Sequence, residues 1–211
     1  MAQGLGDWPT PMSAIIDPIH RRWFFFACLF ETSLVGIATG LGWLLHHQPG
    51  ADLHLHFVDG LIGCLATFPP LGFFIWMCRA TPAPLAKVQD FLEEVVRPFF
   101  KGWSLAELAL ISVLAGISEE WLFRGAVQGG LSKTLGQPLA LVVASVAFGL
   151  CHLVNWTYAF AAACIGAYLG VVWLQTGNLL TPIITHALYD FLALTCLLRL
   201  GRGHMSGPPD R

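Results

Sequence analysis

The sequence predicts an all-α, polytopic membrane bundle of about six transmembrane helices plus one interfacial helix, on three observations. Of its 211 residues, 55% are hydrophobic and 11% charged, about half the charge content of an ordinary soluble domain. Mean hydropathy is +0.65. Between polar breaks, apolar runs repeatedly reach or approach the roughly 20 residues that cross a bilayer core.

Taken in order, the expected spans are 23–45, 58–78, 104–128, 139–155, 157–175 and 179–199. Residues 1–22 form an N-terminal segment, 23–200 one transmembrane domain and 201–211 a flexible tail. The first apolar run starts at Trp23 and is too long for a signal-peptide core, so it is expected to stay as an anchor. Pro69 and Pro70 interrupt the second span and predict a kink, because proline lacks an N–H and clashes with the preceding turn. The stretch Pro84 to Phe100 places Leu85, Val88, Leu92, Val95 and Phe99 at helical spacing opposite Lys87, Asp90, Glu94 and Arg97. That pattern predicts a helix at the membrane surface, a connector or a flap beside a substrate entrance. Gly125-x-x-x-Gly129 and Gly166-x-x-x-Gly170 predict close helix packing. The loop from His46 to His56 has no Cys partner and no helical His pair, so it is expected to be solvated rather than a metal site.

Charge sets further bounds. The net charge of -2 and the absence of a dense basic cluster argue against nucleic acid. Six spans put Arg21, Arg22, Arg79, Lys87, Arg97, Lys101, Arg199, Arg202 and Arg211 on one side and Lys133 alone on the other. Both termini are then cytoplasmic, in a cell (inner) membrane. The six cysteines lie in or beside apolar runs without a C-x-x-C pair and are expected to be buried free thiols.

Charge inside the spans is the chemical signal. A charged group at membrane depth costs at least ~2.5 kcal/mol, so Glu119, Glu120 and Arg124 need partners or water. Glu120 and Arg124 are four apart in the acid-first order and can pair, which leaves Glu119, about 100° around the helix, for another task. Phe148 and His152, then His186 and Asp190, repeat the four-residue spacing on later spans: Phe148 can wall His152 from lipid, and Asp190 can orient His186. At ~1.5 Å per residue, Glu119 lies roughly 13 Å before the end of its span, His152 roughly 20 Å and His186 roughly 10 Å into theirs. Those depths fit one buried site, in the non-cytoplasmic half. Glu31, alone in the first span, is expected to be capped, cavity-facing or paired. An exposed glutamate is too weak a base to activate water near neutral pH, whereas one in apolar surroundings can serve. Glu119 is therefore a candidate general base, His152 can hold the water or protonate the leaving amine, and His186 with Asp190 suits an oxyanion. Glu119, His152 and His186 can instead ligate zinc.

With EExxxR at Glu119, Glu120 and Arg124, FxxxH at Phe148 and His152, and HxxxD at His186 and Asp190, the chain resembles the CAAX protease and bacteriocin-processing (CPBP, or Abi) family of intramembrane endopeptidases. The resemblance covers roughly 104–200, with the motifs in family order. It implies that Glu119 activates water, Glu120 and Arg124 complete its motif, His152 assists, and His186 with position 190 forms the oxyanion site, without a metal. It also implies a membrane-associated or C-terminally anchored protein or peptide as substrate. Position 190 is often asparagine in the family; an ionised Asp190 cannot donate to an oxyanion. Two other readings compete. In a proton-coupled carrier the same acids and histidines would relay protons, though no internal repeat is evident. A non-cleaving immunity or assembly factor could keep the same scaffold.

Overall fold

In the computed structural model, residues 18–80 and 83–199 are described. The expected tail, most of the N-terminal segment, and Arg202 and Arg211 of the orientation argument lie outside them. Among the described residues ten α-helices run in chain order: α1 (Pro18–Leu44), α2 (Phe57–Ala66), α3 (Phe68–Ala80), α4 (Ala86–Phe91), α5 (Arg97–Phe100), α6 (Leu105–Glu120), α7 (Gly129–Leu135), α8 (Gln137–Cys151), α9 (Trp156–Thr176) and α10 (Leu180–Arg199). Wider π turns join α4 to α5 over Leu92–Val96 and α6 to α7 over Trp121–Gln128. No strand occurs among the described residues.

Among the described residues four helical stretches are long and apolar enough to cross a membrane, Ile19–Leu44, Phe57–Ala80, Trp156–Thr176 and Leu180–Arg199; a fifth is added if the bent pair Ala83–Phe100 and Leu105–Leu135 counts as one. This is an all-α polytopic bundle with fewer full-length spans than the six expected. The missing one is α8, whose 15 residues cover about 22 Å of a hydrocarbon core about 30 Å thick. α8 stops at Cys151 rather than 155 because Asn155 already caps α9, its Oδ1 accepting the Tyr158 N–H at 2.9 Å. The third span starts where expected, at a capping box between Ser104 and Glu107. It runs past residue 128 to Leu135, where Gly136 at φ 77° ends it.

Lipid, rather than core, receives much of the apolar surface. Trp23, Phe25, Phe26 and Phe30 of α1 are all more than half exposed, and Thr32 and Thr39 turn their hydroxyls back onto carbonyls four residues earlier. All six cysteines are free, but Cys64, Cys151 and Cys164 are exposed rather than buried. An apolar span does not specify which of its faces meets lipid.

The core forms around α10, which packs against α2, α6, α9 and α3. Gly63 and Gly116 allow this: a Cβ on Gly63 would lie 2.8 Å from the Thr181 carbonyl oxygen, and one on Gly116 2.8 Å from the Ala187 Cβ. The expected break in the second span falls at Thr67. Pro70 offers no N–H to the Ala66 carbonyl; the Tyr168 hydroxyl donates to that oxygen instead, at 2.7 Å.

The amphipathic stretch is helical over Ala83–Phe100 and bends 116° from Leu105–Leu135, so it lies across one end of the bundle. Gln89 Nε2 ties it to the Met77 carbonyl at 2.6 Å, and Arg97 Nη1 to the Leu198 carbonyl at 3.5 Å. Its inner face differs from the expected one. Pro98 has no N–H for the Glu94 carbonyl, and the Arg97 N–H donates five residues back to Leu92. The wider turn rotates the register, so Val88 and Leu92 are buried but Val95 and Phe99 are exposed, and Val96 and Phe100 face inward.

One further expectation shifts. Gly166 and Gly170 do admit neighbouring helices, at Phe148 and at Leu141 with Gln128, but Gly125 and Gly129 receive Pro49 and His47 of the loop after α1. The histidine-rich loop is solvated as expected, with His46, His54 and His56 exposed, but it is also pinned: Asn178 exchanges two hydrogen bonds with the His54 backbone (3.0 and 2.8 Å), and the Asp52 carbonyl accepts the Leu179 N–H at 2.8 Å.

Candidate active site

Glu119 and Glu120 end α6, and the π turn over Trp121–Gln128 begins beside them; such turns often mark functional sites. Glu120 and Arg124, 0% and 1% exposed, form the expected ion pair with Oε1 to Nη1 at 2.7 Å. Arg124 Nη2 donates to the Gly166 carbonyl at 2.7 Å, and its Cζ stands 4.9 Å over the Phe148 ring. Glu120 Oε1 also accepts from His186 Nδ1 at 2.8 Å, while Oε2 has no partner. The second carboxylate of the motif thus orients a histidine on α10 as well as balancing the arginine.

Phe148 stacks on His152 with ring centres 4.5 Å apart and meets His186 edge-on at 6.0 Å. It walls both imidazoles. His152 Nδ1 lies 2.8 Å from the Phe148 carbonyl. A carbonyl only accepts, so Nδ1 carries the hydrogen and Nε2 presents a lone pair.

Glu119 faces both histidines. Its Oε2, buried and without a hydrogen-bond partner, lies 3.9 Å from His152 Nε2 and 4.0 Å from His186 Nε2. His186 Nε2 is also 3.4 Å from Asp190 Oδ2. Glu119, Phe148, His152, His186 and Asp190 line the same cavity of about 330 Å³; Glu120 and Arg124 lie behind it. The cavity's other walls are apolar: Phe73, Phe74 and Met77 of α3, Val88, Phe91, Leu92, Val96 and Phe100 of the crossing helix, and Ala161, Ala162 and Ile165 of α9.

For metal binding, His186 Nδ1 is already engaged by Glu120, and among the described residues no three His, Cys, Asp or Glu side chains are grouped to hold a cation.

Sequence spacing missed three contributors. Tyr158 and Tyr189 line the cavity, but an apolar span does not specify which of its tyrosines faces inward. Ser118 donates to Glu31 Oε2 at 2.7 Å, linking α1 to the residue before Glu119. Glu31 is therefore paired, one of the roles expected for it. The helix boundaries also change the expected depth: His152 follows the last residue of α8, and the cavity runs from it toward the last turns of α3 and α10. That is the end bearing Arg79, Lys87, Arg97, Lys101 and Arg199.

No curated protein and no solved structure matches the chain. Residues 101–192 match the family described as Type II CAAX prenyl endopeptidase Rce1-like. The match begins just before α6 and ends just beyond Asp190, so it encloses all three motifs. Over residues 101–192 the chain is thus similar to Rce1-like domains, in agreement with the resemblance of its three motifs to the CAAX protease and bacteriocin-processing proteins.

Proposed function

We propose that the protein is an intramembrane endopeptidase in which Glu119 activates one water, with residues 104–200 as its catalytic core. The observation that carries this reading is the unpartnered Glu119 Oε2, buried between the Nε2 atoms of His152 and His186 at the polar end of an apolar cavity. A water there donates one hydrogen to Glu119 and the other to the His152 lone pair, which aims its oxygen at a scissile carbonyl. As the new C–O bond forms, the water proton passes to Glu119 and the carbonyl electron pair moves onto oxygen. His186, held by Glu120 and Asp190, faces that oxyanion. When the C–N bond breaks, Glu119 returns the proton to the leaving amine.

The reading is metal-free, with zinc on Glu119, His152 and His186 as the alternative; a chelator leaves activity intact in the first case and removes it in the second. The substrate is a membrane-associated or C-terminally anchored protein or peptide, since a cavity with aromatic and aliphatic walls favours an apolar segment. The positive-inside rule puts the open end of the cavity at the cytoplasmic face.

The test compares wild type with Glu119→Gln in native membranes. Protein termini are read by mass spectrometry, and a quenched-fluorescence peptide ending in a farnesylated CAAX tetrapeptide is supplied as probe. Loss of a general base predicts a fall of about 10²–10⁴-fold with unchanged thermal unfolding. Equal cleavage by the variant sinks the role of Glu119. If wild type alters no terminus and leaves the probe intact, the peptidase reading gives way to the carrier, which proton-linked uptake into liposomes then tests.

A further inference from the structure

The polar end of the cavity is short of hydrogen-bond donors. In the tetrahedral intermediate the proton on Glu119 is reserved for the leaving amine, Asp190 offers a carboxylate, and His152 presents a lone pair because its Nδ1–H is held by the Phe148 carbonyl. Arg124 is committed to Glu120 and the Gly166 carbonyl. His186 gives its Nδ1–H to Glu120, and its Nε2 faces acceptors, Asp190 at 3.4 Å and Glu119 at 4.0 Å. A tetrahedral intermediate puts a full negative charge on the former carbonyl oxygen and needs donors about 2.7–3.1 Å from it. An ionised carboxylate at position 190 repels that charge.

Tyr158 can meet the need. It stands in the first turn of α9, its backbone N–H fixed by Asn155 Oδ1 at 2.9 Å. Its ring packs on Phe91 of the crossing helix at 5.0 Å and lies 6.4 Å from the His152 ring. The side chain lines the cavity together with Glu119, His152 and Asp190. Among the described residues nothing bonds its hydroxyl. The other cavity tyrosine, Tyr189, turns its ring onto Phe74 at 6.4 Å, toward the apolar walls.

We propose that Tyr158 is a further catalytic residue, its hydroxyl donating to the oxyanion in place of the amide N–H that an asparagine at position 190 would offer. This rests on the endopeptidase reading above. Tyr158→Phe keeps both ring contacts and removes only the donor.

The experiment uses the full chain in lipid vesicles with the farnesylated peptide probe, comparing wild type, Glu119→Gln, Tyr158→Phe and Tyr158→Phe/Asp190→Asn. Loss of one oxyanion donor predicts a kcat for Tyr158→Phe lower by about 10²–10³-fold, with KM within about threefold and thermal unfolding unchanged. Adding Asp190→Asn restores at least about tenfold of the lost kcat by supplying an amide donor. The assignment is overturned if Tyr158→Phe keeps kcat within threefold, if its loss appears in KM alone, or if Asp190→Asn fails to rescue a folded Tyr158→Phe. Cleavage by wild type but not by Glu119→Gln, with Tyr158→Phe fully active, refutes the tyrosine alone. A wild type that leaves the probe intact and alters no terminus in native membranes takes both readings down together.

Discussion

Glu120 joins two events that spacing along a helix cannot connect. Its pairing with Arg124 was legible from the four-residue offset, as were the Phe148–His152 and His186–Asp190 pairs. Its bond to His186 Nδ1 was not, because the two residues are 66 apart and meet only when α6 packs on α10. The same limit hid Tyr158 and the Ser118–Glu31 bond. Since the pair is 1% and 0% exposed, removing one partner strands a buried charge. Arg124→Met is expected to cost roughly 3–5 kcal/mol of stability, read as a lowered thermal transition in detergent. Replacing both groups, as Glu120→Leu with Arg124→Met, should recover most of that loss. Activity should stay absent, because His186 then has no acceptor for its Nδ1–H. A double variant as unstable as the single one would contradict this, and one that cleaves would free His186 from any need of Glu120.

At the level of elements, the sequence showed where apolar runs begin but not where neighbours truncate or rotate them. The proline break was legible; the tyrosine that completes it, 102 residues away, was not. The amphipathic helix was legible too, but its inner face was not, because the wider turn after Leu92 shifts the register. Two predictions follow from these contacts. Tyr168→Phe leaves the Ala66 carbonyl without its donor and should cost about 1–3 kcal/mol. In a Pro70→Ala background, where residue 70 regains an N–H for that oxygen, the cost should shrink; equal costs in both backgrounds would show that the hydroxyl does not compensate for the proline. Gly116→Val forces side-chain atoms against Ala187 and the Ile183 carbonyl. It should separate α6 from α10 at about 1–3 kcal/mol. Because Glu119 and His186 ride on those two helices, kcat should fall further than stability does; loss of stability with full kcat would mean that their spacing tolerates the shift.

For the whole molecule, the number of spans matters less than where the short one stops. Span lengths alone put the three motifs at similar depth but could not show toward which end the cavity extends, because they assumed that α8 crosses the full core. Its 15 residues fall short by about 8 Å. Beyond its end the crossing helix and the last turns of α3 and α10 wall the cavity. The basic residues of that end, Arg79, Lys87, Arg97, Lys101 and Arg199, then decide which compartment the cavity opens toward. Lys87 also borders a second hollow beside the α8–α9 connection, so it stands near the mouth. Lys87→Cys and Ala51→Cys, each placed in a variant lacking the six native cysteines, mark opposite ends of the bundle. In sealed inside-out vesicles a membrane-impermeant maleimide should label Lys87→Cys and leave Ala51→Cys unmodified; right-side-out vesicles should give the reverse. That pattern puts the cavity mouth in the cytoplasm and predicts substrates whose scissile bond lies just inside the cytoplasmic boundary of their apolar segment. The inverse pattern would move the mouth to the outer face and direct the substrate search to proteins anchored there, with the Glu119 chemistry unchanged.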